Sequence, residues 1–389
     1  MKDNRMMFFI FMLGTFTVGM AEYVVTGLLT QIAGDMKVSI SSAGLLISVY
    51  AISVALIGPL MRIFTLKVRA QRLLPVLMAI FIISNIIGML APNFPILLLS
   101  RLLSASMHAP FFGVCMSVAA AVAPQGKKPQ AIALVQAGLT IAVMIGVPFG
   151  SFLGGFANWR FVFGVMILLA VITMLGMMKF VPHVALSTEA SVKKELKLFK
   201  NPHILIVMAI IVFGYSGVFT TYTFMEPMIH KYAPFGIVGL TVCLFMFGRG
   251  GVVGNLLTGN VPEHKLTQYL FYTFVLLFIT IVLFVTAVHS AILAIIICFL
   301  FGFGTFGTTP LLNSKVILSA HEAPLLASTL AASVFNIANF LGAIVGSILL
   351  SMGFPYLTIT FVSGGIIILG IIINTINHFY EKKHITFNH

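Results

Sequence analysis

The sequence predicts an all-α membrane protein of twelve transmembrane helices arranged as two six-helix bundles. Three observations lead there. Of 389 residues, 60% are hydrophobic and 8% charged, with a mean hydropathy of +1.11, whereas roughly a quarter of a soluble domain is charged. Apolar runs recur at the length of helices of about 20 residues that cross a ~30 Å hydrocarbon core, and the alternation of barrel strands is absent. The longest polar connection falls close to the middle of the chain.

The apolar runs cover residues 6–30, 41–62, 72–91, 95–120, 130–155 and 159–181, then 203–225, 236–259, 266–287, 290–312, 324–350 and 355–378. The first follows Lys2 and Arg5 as a signal peptide would, yet it is too long, lacks a small-residue cleavage site and contains Glu22. It is retained as a spanning helix. The connection "VPHVALSTEASVKKELKLFKNPH" divides an N-terminal bundle, 1–181, from a C-terminal bundle with a short tail, 203–389, leaving 182–202 as a linker. A degenerate repeat accompanies this division: "SAGLLISVYAISVALIGP" at 42–59 is similar to "IVGLTVCLFMFGRGGVVGN" at 237–255. Parallel six-helix repeats about a central site are the plan of many secondary transporters.

A net charge of +13 would suggest nucleic acid in a soluble domain. Here the positions of the charges argue otherwise. Arg62, Lys67, Arg69, Arg72, Lys127, Lys128, Lys193, Lys194, Lys382 and Lys383 fall on one side of twelve spans, and only Lys37, Arg160 and Lys231 on the other. By the positive-inside rule both termini and the linker are expected in the cytoplasm, in a cell inner membrane, and the basic excess is topology with some attraction to lipid. No nucleic-acid partner is expected. Cys115, Cys243 and Cys298 stand singly in apolar runs, so they read as packing residues, with no disulfide framework or metal site.

Of the nine acids, only Glu22 and Glu226 fall within or at the end of an apolar run. Glu22 lies ~24 Å into the first helix, which starts on the inner side, and Arg101 ~9 Å into the fourth, which starts on the outer side, at 1.5 Å per residue. Their depths agree. An ionisable group there costs roughly 2.5 to 3.5 kcal/mol even on lenient scales, so it faces the bundle interior with a partner. A Glu22–Arg101 pair is therefore expected, either as a proton switch, since burial and a guanidinium act oppositely on a carboxylate, or as a fixed tie between two helices. Glu226 reads as interfacial. His108 has two readings, a titrating or substrate-bonding imidazole or a ring bonded to a nearby carbonyl, and Arg249 in "MFGRGG" faces either a cavity or a carbonyl. The aromatics Tyr23, Tyr50, Phe111, Phe112, Tyr215, Phe219 and Tyr222 are candidates to line an amphipathic cavity, although 36 phenylalanines make packing the ordinary role of such residues.

"GLTIAVMIGVPFGSFLGG" sets Gly146, Gly150 and Gly154 around Pro148, small residues that let helices approach and a proline that permits a bend. This reads as a mechanical surface. "GFGTFG" at 302–307 satisfies a dinucleotide-binding pattern but lies in an apolar helix without the preceding strand that such a site needs. Walker, HExxH and GxSxG motifs are absent, so neither an ATP-driven pump nor an enzyme is expected, and no cofactor is implied.

Together "GMAEYVVTGLLTQIAGDMKVSISSAGLLISVYAISVALIGPL", "LSRLLSASMHAPFFG", "GVPFGSFLGGFANWRFVF", "FGYSGVFTTYTFMEP" and "LASTLAASVFNIANFLGAIVGS" resemble the major facilitator superfamily, specifically drug:proton antiporters of the arabinose, sugar and purine efflux type. The resemblance covers almost the whole chain. It implies the major facilitator fold, proton coupling at Arg101, an antiporter motif at Gly146, Pro148, Gly150 and Gly154, and a cytoplasmic gate at Gly58, Pro59, Lys67, Arg69 and Arg72. The aspartate usual in that gate is missing from "GPLMRIFTLKVRAQR", so its charge interaction is replaced or weaker. The expected function is proton-coupled efflux of a small organic molecule such as a drug, sugar or nucleoside by a monomer, with Tyr23, His108, Phe112, Tyr215, Tyr222, Arg249 and Asn336 as candidate substrate contacts. An uptake symporter, or an exporter of a lipid or metallophore, is the alternative on the same fold.

Overall fold

A computed structural model describes residues 5–65, 68–124, 127–182, 202–233, 235–319 and 324–385. Lys67 and, but for its two ends, the linker at 182–202 lie outside them. Twelve helices among the described residues are long and apolar enough to cross a membrane, from Arg5–Gly27 to Tyr356–Phe379. The chain divides into two compact units, Met1–Glu189 and Ala190–His389.

In the first unit, α1 (Arg5–Tyr23) gives way to a tight 3-10 turn at Val24–Gly27 and then to α2 (Leu29–Met36). The first apolar run is thus not one helix over 6–30. Thr26 donates its hydroxyl to the Tyr23 carbonyl at 2.6 Å, which offers the backbone a local partner in place of the next helical bond. Then come α3 (Ile40–Thr65), α4 (Ala70–Met89), α5 (Phe94–Ser106), α6 (His108–Val122), α7 (Lys128–Ile141), α8 (Val147–Phe156) and α9 (Trp159–Phe180). The fourth span is α5 and α6 together, interrupted at Met107. Pro110 has no N–H for the carbonyl four residues back, and Phe111 restarts the ladder on Met107 at 3.0 Å. The fifth span joins α7 to α8 through a π-turn at Ala142–Gly146, just before Pro148.

The first and fifth spans approach closely. A Cβ on Gly138 would meet the backbone of Met12 and Phe16, and Thr15 donates to the Val135 carbonyl at 2.6 Å. Further along, Gly146 faces Phe16 and Met20, Gly150 faces Val24, and Gly154 faces Leu28 and Gln31. Glycine at four-residue spacing is therefore the groove into which the first span fits.

The second unit contains α10 (Pro202–Ile210), a π-turn at Ile211–Tyr215, α11 (Ser216–Tyr222), α12 (Met225–Tyr232), α13 (Ile237–Thr258), α14 (Leu266–Ala287), α15 (Ala291–Ser319), α16 (Pro324–Ser351) and α17 (Tyr356–Ile385). Among the described elements α13 and α15 form the most extensive helix pair. A Cβ on Gly250 would strike the Phe299 carbonyl, on Gly254 the Phe303 carbonyl and on Gly302 the Phe247 carbonyl. "GFGTFG" is thus part of a helix-packing seam. Cys243 and Cys298, isolated in sequence, meet within it as buried free thiols.

Candidate functional site

Five side chains from four helices of the first unit converge. α1 supplies Glu22 one residue before its end, α3 supplies Tyr50, α5 supplies Arg101, and α6 supplies His108 and Phe112. The interruption at Met107 makes His108 the first residue of α6. Gly58 lets α3 approach this point, since a Cβ there would come within 2.7 Å of the Ala109 Cβ, and Ser53 donates to the Leu102 carbonyl at 3.0 Å.

Glu22 Oε2 lies 3.8 Å from His108 Nε2, each side chain 10% exposed. The other ring nitrogen, Nδ1, is 3.1 Å from the Tyr50 hydroxyl. Phe112 stacks on the imidazole at 4.7 Å between centroids, the planes 9° apart. Arg101 does not make the expected ion pair with Glu22. Its guanidinium carbon stands 4.2 Å above the centre of the Tyr50 ring, and its three side-chain nitrogens are buried with no hydrogen-bond partner among the described residues. Agreement in depth puts two groups at one level but leaves their direction around the helix open, and on α5 that direction is toward α3. A desolvated cation–π contact contributes about 2 kcal/mol. That offsets only part of the cost of burying a charge.

The other candidate contacts lie elsewhere. Tyr23 is buried beside Glu22, its carbonyl taken by Thr26. In the second unit, the Tyr215 hydroxyl is 3.2 Å from Thr309 Oγ1, and its ring meets Phe335 edge-on at 4.9 Å. Phe219 links it to Tyr222, which stacks on Phe247 at 4.8 Å. Asn336 is buried, its Nδ2 donating to the Ala332 carbonyl at 3.1 Å, while Arg249 is exposed on α13. Glu226 is buried in the first turn of α12, where the helix dipole favours a carboxylate. Among the gate residues, Arg69 precedes α4 as its N-cap and Arg72 sits in its first turn, both exposed. Pro59 continues the backbone of α3; its side chain lies outside the described ones.

Sequence reasoning missed a second cluster. Asp35 at the end of α2 is ion-paired with Arg160 at the start of α9, and Trp159 Nε1 donates to the same carboxylate oxygen at 3.1 Å. Arg160 also donates to the Ala91 carbonyl at 3.2 Å and lies over the Trp159 ring at 4.3 Å. The Arg160 hydrogen bond holds the Asp35 carboxyl below its ordinary range, against a smaller opposing effect of burial. The available signal was an acid between the first two apolar runs and a base at the start of the sixth, on the same side of the membrane and next to the one tryptophan of the chain.

With this geometry in place, the Major Facilitator Superfamily profile matches residues 11–347. The chain belongs to the Major Facilitator Superfamily. It is 42% identical over 382 residues to the MFS-type transporter YfhI of Bacillus subtilis (strain 168), covering 98% of this chain and 96% of that one. It is 35% identical over 345 residues to the inner membrane transport protein YdhP of Escherichia coli (strain K12), covering 88% of each. It is 32% identical over 364 residues to a "Probable sugar efflux transporter" of Helicobacter pylori (strain J99 / ATCC 700824), covering 93% of each. The crystal structure of the nucleoside transporter NupG shares the fold, with a TM-score of 0.75 at 13% identity over 95% of this chain and 98% of that one. This superfamily member is a twelve-span membrane transporter of small molecules and not an enzyme.

Proposed function

We propose that this transporter exports a small organic molecule, a sugar first among the candidate classes, in exchange for protons. The observation that carries the reading is the contact of Glu22 with His108 inside the first unit, beside the buried charge of Arg101. A carboxylate that touches an imidazole and lacks a fixed guanidinium partner is free to change its protonation with its surroundings. The sugar comes from the name of the Helicobacter pylori relatives. Tyr23, His108 and Phe112 from residues 1–181, and Tyr215, Tyr222, Arg249 and Asn336 from 203–389, are the proposed substrate contacts. Gly58, Pro59, Arg69, Arg72 and the fifth-span motif are the proposed gating surfaces.

In this reading a monomer works by alternating access in a cell inner membrane, with termini and linker in the cytoplasm. Substrate loads from inside, and a proton arriving at Glu22 from outside resets the cycle. Both must favour different conformations, since equal affinity shifts nothing. The test is flux in proteoliposomes under an imposed pH gradient, screening labelled arabinose, galactose, nucleosides and lipophilic drugs. Movement that a protonophore collapses and Glu22→Gln abolishes is expected; gradient-independent movement by the native protein would overturn the coupling.

A further inference from the structure

Resting on that reading of Glu22 as the proton carrier, we propose that Tyr50 is the positioning residue of the site. Its hydroxyl caps His108 Nδ1 and thereby turns the single N–H of the ring, on Nε2, toward Glu22.

A neutral imidazole has one donor nitrogen and one acceptor nitrogen. The Tyr50 hydroxyl stands 3.1 Å from Nδ1 and can meet it in either sense. Two observations select one sense. The Arg101 cation lies 4.2 Å above the Tyr50 ring, where its field polarises the O–H toward donation. On the far side of the imidazole, Nε2 faces a Glu22 oxygen at 3.8 Å, which attracts an N–H and repels a lone pair. Both choose the same tautomer, with Nδ1 accepting from Tyr50 and Nε2–H directed at the carboxylate. The groups facing His108 are then Glu22 from α1, Tyr50 and its overlying Arg101 from α3 and α5, and the uncharged ring of Phe112 from α6 itself.

Phe112 fixes the plane of the imidazole, and Tyr50 fixes which nitrogen carries the proton. Tyr50 is 1% exposed, so solvent does not substitute for its hydroxyl. An incoming proton finds Nδ1 occupied. It bonds instead to a Glu22 carboxylate oxygen, converting the carboxylate to the neutral acid while His108 keeps its one N–H.

The experiment uses the full chain in liposomes, with histidine rings labelled with nitrogen-15 and read by solid-state NMR, the His108 signals being identified by their loss in His108→Gln. The expected native spectrum has a protonated Nε2 and a bare Nδ1. In Tyr50→Phe this single tautomer gives way to a mixture, the protein still folds with a modestly lowered unfolding temperature in detergent, and gradient-driven efflux of the cargo identified in the flux screen falls about tenfold, the scale of one lost hydrogen bond. A proton on Nδ1 in the native protein would overturn the proposal. So would an unaltered tautomer, or unaltered flux, in Tyr50→Phe. If the native protein instead shows flux that ignores the protonophore, the coupling reading fails by itself, and the tautomer still decides the role of Tyr50.

Discussion

The second and fourth spans of each unit meet in opposite ways. In the second unit α13 and α15 close on one another through Gly250, Gly254 and Gly302, with Phe247 edge-on to Phe301 at 5.2 Å. Their seam is apolar backbone against backbone. In the first unit α3 meets α5 and α6 with a single comparable glycine, Gly58, and beyond it the space is filled by Tyr50, Arg101 and His108. The difference teaches what each interface is for: close glycine packing maximises dispersion contacts and leaves no room for chemistry, whereas a seam lined by polar side chains holds charge at a cost in stability.

The largest expected effect breaks the chemical seam. Glu22→Gln should reduce gradient-driven flux to that of empty liposomes while the protein still folds, as measured by flux and by thermal unfolding in detergent. The converse change breaks the packed seam. Gly302→Ala places a methyl against the Phe247 carbonyl and should cost about 1 to 3 kcal/mol, the range for overpacking, read as a lowered unfolding temperature. Replacing the buried cation sharpens the contrast. Arg101→Met should abolish coupled flux yet leave stability equal or raised, because donors without acceptors are removed from the interior; a large drop in unfolding temperature would show that the charge is a structural tie.

The smallest effect concerns the polar edge of the first unit. The carboxyl of Asp35 is held below its usual range by Arg160, so the stability it contributes is present above the unfolded value of about 3.9 and fades as pH falls toward the lower folded value. Asp35→Asn should remove that acid dependence and cost less than about 1 kcal/mol, since the pair is partly solvated. The check is the unfolding temperature measured from pH 3 to pH 7.

The twelve spans were legible because length and hydropathy report directly on a bilayer, and Glu22 was legible because a carboxylate in an apolar run is expensive. The partner of Glu22 was not. A residue count along two helices gives depth, but the azimuth of Arg101 depends on how α5 rotates against α3, and the break at Met107 then brings His108 to the carboxylate. Pro148 announced irregular backbone without saying of what kind, and Pro110 carried the same signal unread. Asp35 lies at the end of α2 and Trp159 and Arg160 at the start of α9, helix ends that meet only after the helices have packed.

The π-turn at Ala142–Gly146 holds one residue more than a regular helical turn, and each residue of an α-helix advances it by about 100°. Gly138 precedes this turn, while Gly146, Gly150 and Gly154 end and follow it, yet all four face the first span. The surplus residue acts as a phase corrector between two glycine rulers. In a regular helix the eight residues from Gly138 to Gly146 would leave those two glycines about 80° apart, so it is the wide turn that keeps the groove continuous. Deleting one residue there would give a regular helix with its glycines still within about 20° of one face.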